Sequence, residues 1–214
     1  MQRHLPTIKK LAYPLFSILL LTGCKNENNN QQDEVTNEIS NDTLPEFASE
    51  PLVKDNYTAD PSAHVFEGKI YVYPSHDWDS GIPEDDTGAH FNMKDYHVYS
   101  MDSVGGEVTD HGKVLDVEDV PWASRQMWAP DAAEKDGKYY LYFPAKDEND
   151  IFRIGVAVGD SPAGPFEPQE EPIANSYSID PAVYEDTDGT HYMYVGGIWG
   201  GQLQRYRNEK DRSE

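Results

Sequence analysis

The stretch "TADPSAHVFEGKIYVYPSHD", residues 58–77, decides the fold. An acid stands against a proline, Asp60-Pro61, just ahead of a short run of mixed polar and apolar residues. Glu67-Gly68 follows, then "KIYVY", in which Tyr71 and Tyr73 alternate with other residues. Acid-Gly pairs suit tight hairpin turns, because glycine takes positive φ at no steric cost. Alternating tyrosines place their rings on one face of a strand. The stretch reads as strand, turn, strand, with an acid at its entrance.

The arrangement recurs. Asp131 leads to Asp136-Gly137 and "KYYLY"; Asp180 leads to Asp188-Gly189 and "THYMY". Each hairpin is followed by a further strand, expected at 96–101, 153–159 and 203–207. The turn glycines at 68, 137 and 189 are spaced by 69 and then 52 residues. A four-stranded unit repeated at this length is the signature of a β-propeller blade, and it outweighs the rival, an irregular β-sandwich. No segment beyond the N-terminus shows a sustained helical period. The first strand of a propeller blade lines the central channel, so Asp60, Asp131 and Asp180 are expected to converge on one end of it.

The flanking sequence sets the context. Arg3, Lys9 and Lys10 precede an apolar run from Leu11 to Leu21, which ends in "LTGC". A basic region, a short apolar region and small residues read as a secretory signal over 1–23, too short for a comfortable membrane span. "LLTGC" resembles the bacterial lipobox, which implies lipidation of Cys24. The expectation is a protein exported and lipid-anchored to the bacterial cell envelope, on its periplasmic face or its surface, touching membrane through that lipid alone. Cys24 is the single cysteine, so no intrachain disulfide forms. Residues 24–49 are polar, acidic and almost without aromatics, the composition of a disordered tether. From about residue 50 onward, 37% apolar and 12% aromatic content overall supports a packed all-β domain. Net charge is −22; removing the three cations of residues 1–23 leaves −25. That charge excludes nucleic acid as a partner and favours neutral or cationic ligands.

Three motifs in order resemble glycoside hydrolase family 43, the five-bladed propellers that include β-xylosidases, α-L-arabinofuranosidases and arabinanases. They are "ADPSAHVFEGKIYVYPSHD", "MWAPDAAEKDGKYYLYFPA", and "SPAGPF" leading to "SIDPAVYEDTDGTHYMYVGG". The resemblance covers roughly residues 50–207. It implies that Asp60 is the catalytic general base. It implies that Asp180 orients the proton donor and raises its pKa, and that Trp128, Asp131, His76 and Asp77 shape the sugar pocket. The family's proton donor is a Glu in a later blade, usually before Gly-Pro; no Glu-Gly-Pro follows Asp180. The expected fold is therefore a five-bladed β-propeller truncated after about 2.7 blades, with this chain inactive alone. The chemistry implied needs no cofactor. A structural calcium on the axis of the intact propeller is compatible with the resemblance, its ligands lying outside this chain.

The reaction expected is inverting hydrolysis of xylosides or arabinoxylan side chains of plant hemicellulose, with an oligo- or polysaccharide as substrate. Inversion needs two carboxyl groups roughly 6.5–9.5 Å apart, one ionised to activate water and one protonated to release the leaving group. Two competing expectations are a surface lipoprotein that binds carbohydrate without turnover, and an inactive fragment. Ser75-His76-Asp77 is not a hydrolase triad, since consecutive residues of a strand point to alternating sides. Trp78, Trp122, Trp128 and Trp199 could each stack on a sugar or pack between blades. His64, His90, His97, His111 and His191 show no metal-site spacing and are assigned no role; no metal site is expected. "DTDG" at 186–189 lacks the spaced ligands of a calcium loop and reads as a turn.

Overall fold

The computed structural model describes residues 51–85 and 88–197. The first sheet is an antiparallel meander in chain order: β1 (Tyr57–Phe66), β2 (Lys69–Asp77), β3 (Asp95–Met101) and β4 (Thr109–Asp116). A single 3-10 turn, Val117–Asp119, leads to the short β5 (Ala123–Arg125). The second meander is β6 (Asp131–Lys135), β7 (Lys138–Asp147), β8 (Phe152–Gly159) and β9 (Glu167–Pro168), with β5 paired to the far end of β7. A hairpin of β10 (Ile179–Glu185) and β11 (His191–Gly196) begins a third sheet. These are two four-stranded blades and the inner hairpin of a third. The strand expected at 203–207 lies outside the described residues, as do the leader, Cys24, the tether and Trp199.

The turns follow their chemistry in two cases of three. Phe66 pairs with Lys69 and Lys135 with Lys138, so Glu67-Gly68 and Asp136-Gly137 are two-residue loops. All four turn residues have positive φ, from 52° to 78°. That is the primed turn whose twist matches the strands it joins. The third hairpin differs. Glu185 pairs with His191, leaving a five-residue loop closed by Gly189 N–H to Asp186 O and by Asp186 N–H to Thr190 O, both 2.9 Å. Three more residues than in the other two turns widen this loop, and the Asp188 carboxylate caps the Thr190 N–H at 2.8 Å.

The core fills the space between the first two blades. Tyr71, Tyr73, Tyr96, Val98, Val114 and Leu115 of the first meet Leu141, Phe143, Ala145, Ala157 and Phe166 of the second, all buried. The aligned tyrosines of β2 face this core, and their hydroxyls need partners. Tyr73 donates to Pro162 O at 2.7 Å, across the blade interface. Tyr96 donates to Trp128 O at 2.5 Å. Gly155 in β8 makes room for two rings: a Cβ there would lie 2.5 Å from Phe143 and 2.6 Å from Trp122. Those rings stack at 6.0 Å and 10°, so Trp122 is a packing residue.

Candidate functional site

The Asp-Pro pairs are β-bulges. Ala59 pairs with Ser75 and Ser62 with Tyr73, so three steps on β1 match two on β2. Ile179 pairs with Gly196 and Ala182 with Tyr194, the same mismatch in the third sheet. Asp60 and Asp180 occupy the extra position with φ of 46° and 52°. Left-handed backbone is tolerated by Asp better than by most residues, yet it costs about 1–3 kcal/mol and concentrates at functional sites. The following proline has no N–H to lose from the ladder, which makes a bulge its natural place within a sheet. Bulges re-aim a side chain, and here both turn a carboxylate out of the sheet alternation. Asp131 has no proline after it and no bulge: Asp131 to Lys135 pairs in unbroken register with Tyr142 to Lys138.

The two bulges open on one cavity of about 280 Å³. Its walls are Ala59 and Asp60, Asp77 at the end of β2, Phe91 and Met93 from the β2–β3 loop, Trp128, and Ile179 with Asp180. Three consecutive blades therefore contribute to it. Both Asp60 and Asp180 remain open to solvent as whole residues. The Asp180 carboxyl is nonetheless partly desolvated, and this burial, with the charge of Asp60, pushes its pKa up. Asp77 is raised by burial and by Asp60, against an opposing pull from His76. Asp77 and Asp180 each sense the charge of Asp60 across a small cavity, which favours their neutral forms more than water does. Trp128 lines the cavity and is fixed by its other contacts. Its Nε1–H donates to Phe91 O at 2.8 Å, and its ring lies 4.4 Å from that of Phe152. Trp78 stands outside this wall, partly exposed, with the Lys94 ammonium 4.1 Å over its ring.

Asp131 and His76 do not line the cavity. Asp131 is buried, at 5% exposure. Its Oδ1 accepts from His64 Nε2 and its Oδ2 from the Val183 N–H, each at 2.6 Å. One carboxylate in the second blade thus ties the inner strands of the first and third. Burial pushes the Asp131 carboxyl up, but the His64 ring and the backbone N–H groups of Val183 and Ala132 outweigh it and hold the pKa below the ordinary value. His76 is occupied elsewhere: its Nδ1 lies 2.5 Å from Asp95 Oδ1. His64 was assigned no role from the sequence, and Phe91 and Met93 were not singled out there. His64 shares the inward parity of Ser62 and Phe66 along β1 while Ala63 and Val65 are exposed, and that alternation was the available signal. Phe91 and Met93 come from a loop with no motif.

His76, Asp95 and His97 form the grouping of three or more His, Cys, Asp or Glu, among the described residues, that could hold a metal ion. Two imidazoles and one carboxylate do not suit calcium, which takes six to eight oxygens.

An arc of blades whose inner strands aim bulge-borne aspartates into one cavity defines a scaffold of the β-propeller class. The model for glycosyl hydrolases family 43 matches residues 49–212, and the chain belongs to that family. A xylosidase/arabinosidase of Bacteroides ovatus is 68% identical over 160 residues, which are 74% of this chain and 49% of the relative. A β-xylosidase of Xylanibacter ruminicola is 55% identical over 157 residues, 72% of this chain and 49% of the relative. Among solved structures, a family member described as a β-xylosidase/α-arabinofuranosidase from a compost metagenome, complexed with xylotriose in calcium-free form, superposes with a TM-score of 0.73. It is 70% identical, over 77% of this chain and 50% of that one. The chain spans about half the length of the curated relatives it matches.

Proposed function

We propose that this chain supplies the general base and part of the sugar pocket of an inverting glycosidase that releases xylose or arabinofuranose units from hemicellulose. The observation that carries the reading is the pair of Asp-Pro bulges, which hold Asp60 and Asp180 in left-handed conformation over one cavity. Asp60, open to solvent, takes a proton from a water as that water attacks the anomeric carbon. Asp180, beside it, places negative charge where it favours the neutral form of a neighbouring carboxylic acid, the donor that protonates the leaving oxygen. In this reading the donor belongs to the portion of the relatives that lies beyond the matched half. Asp77 and Trp128 complete the wall against the sugar. The names of the relatives support xylosides and arabinofuranosides as the substrate class. No cofactor enters the reaction. No observation favours binding without turnover.

The test uses dinitrophenyl β-D-xyloside and dinitrophenyl α-L-arabinofuranoside, whose leaving group departs without protonation and so reports the base alone. The protein should hydrolyse one of them with inverted anomeric configuration, read by NMR. Asp60→Asn should lower the rate by about 100-fold or more, the usual weight of a general base. Equal rates in wild type and Asp60→Asn would overturn the assignment. We further propose that Cys24 carries a lipid at the cell envelope. Labelled palmitate should be incorporated by the wild type and not by Cys24→Ala; labelling of both would refute it.

A further inference from the structure

Away from the cavity, the first blade gathers three side chains that the hydrolytic reading does not use. One step beyond the Ser75–Tyr96 pair, His76 on β2 faces Asp95 on β3. His97 follows Asp95 by two residues and so shares its face of the strand. The ligand atoms of all three lie within 4.8 Å of one another. His76 Nδ1 is 2.5 Å and His97 Nε2 4.0 Å from Asp95 Oδ1. The two imidazole rings are 4.8 Å apart. Their side chains are 23%, 19% and 16% exposed for His76, Asp95 and His97, shielded yet reachable.

We propose that His76, Asp95 and His97 form a zinc site on the first blade. Tetrahedral zinc with bonds of about 2.1 Å sets its ligand atoms about 3.4 Å apart. The separations of 2.5 and 4.0 Å about Asp95 Oδ1 straddle that figure, and the outer bound of 4.8 Å among the three sets the largest closing movement at about 1.4 Å. Two neutral imidazoles and one carboxylate are a zinc set, whereas calcium and magnesium select oxygens. A third feature belongs to an outer shell. His97 Nδ1 lies 3.4 Å from the Asn56 amide nitrogen and 3.6 Å from Asp110 Oδ1; with Nε2 bound, the Asp110 carboxylate need close by only about 0.6 Å to accept the remaining N–H, the partner that metal-bound histidines use. The register of β3 against β4 breaks on both sides of His97, and such irregularities aim side chains rather than extend a ladder. The Lys113 ammonium, whose residue pairs with His97 across the sheet, is engaged by Asp116 Oδ2 at 2.5 Å. Three protein ligands leave a fourth position for water. Because His76 precedes the cavity residue Asp77, bound zinc would pin the end of β2 that reaches the pocket.

The test is stoichiometric zinc binding by the tag-free, EDTA-stripped full chain, read by isothermal titration calorimetry and by metal content after gel filtration. One zinc per chain is expected, undisplaced by excess calcium. His97→Ala and Asp95→Asn should each weaken binding by at least tenfold, and Asp110→Asn by about tenfold without removing a ligand. His111→Ala, whose ring contacts Ser100 Oγ at 2.8 Å instead, should bind as the wild type does. Cobalt(II) at saturation should give the intense visible absorption of a tetrahedral site in the wild type and in Asp110→Asn, and lose it in His97→Ala. No retained zinc, or equal retention by the wild type and by both His97→Ala and Asp110→Asn, would overturn the site.

Discussion

Replacing Asp131 tests whether one buried carboxylate holds three blades together. Asp131→Ala removes two hydrogen bonds to an ionised acceptor, from His64 and from the Val183 N–H. Bonds of this kind contribute about 1.5–3 kcal/mol each, and a buried donor left unpaired adds a penalty. The His64 side chain is 27% exposed, so water recovers part of its share. A loss of about 3 kcal/mol follows. Asp131→Asn should cost about half as much, because its amide oxygen still accepts from Val183. The assay is urea unfolding followed by tryptophan fluorescence, with a double-mutant cycle against His64→Ala. The coupling between the two positions should be about 1 kcal/mol. The pH dependence has a definite sign. The folded pKa of Asp131 lies below the unfolded one, so the folded state binds fewer protons between the two values. Its contribution is present above about pH 4 and is lost as pH falls through the folded pKa. A loss under about 0.5 kcal/mol in Asp131→Ala, or strict additivity with His64→Ala, would refute the reasoning.

Three further outcomes are expected. Gly155→Ala drives a methyl into the Phe143 and Trp122 rings and should destabilise by about 1–3 kcal/mol, measured by thermal unfolding; an unchanged midpoint would show that the stack can yield. Gly196→Ala puts a Cβ 3.0 Å from Asp180 Oδ2 and 3.3 Å from its Cβ, so it should displace the carboxylate and move its resonance in carbon-detected NMR, while far-UV circular dichroism and turnover of the dinitrophenyl glycosides, which report the base alone, stay as in the wild type. Asp60→Asn removes the charge that helps to raise Asp77 and Asp180. Carbon-detected NMR titration should find both carboxyl pKa values lower in the variant, and values that stay where they were would disconnect the three acids.

The hairpins were legible because their signals are local. Glu67-Gly68 and Asp136-Gly137 sit between strands of matching parity, and turn chemistry alone places them. Asp60 and Asp180 were legible through the proline beside each, although the reason, a bulge that rotates the acid out of the ladder, appears only with the pairing partner. Asp131 was set in the pocket by its blade position. Its contacts, His64 and Val183, lie 67 and 52 residues away, and nothing near Asp131 in the chain announces them. The grouping of His76 with Asp95 and His97 escaped for a similar reason. It depends on the β2–β3 register across a loop, so no fixed spacing betrays it. The same loop brings Phe91 and Met93 to the cavity.

The bonds of Asp131 run forward along the chain. His64 is synthesised first, Asp131 next and Val183 last, and each bond joins a blade to the one made just before it. A polypeptide emerging from a ribosome would meet its docking surface already in place at every step. The third hairpin then meets, at Val183, a carboxylate that His64 already holds. The Asp131 carboxylate is thus a latch whose two bonds can form in the order in which the chain is made.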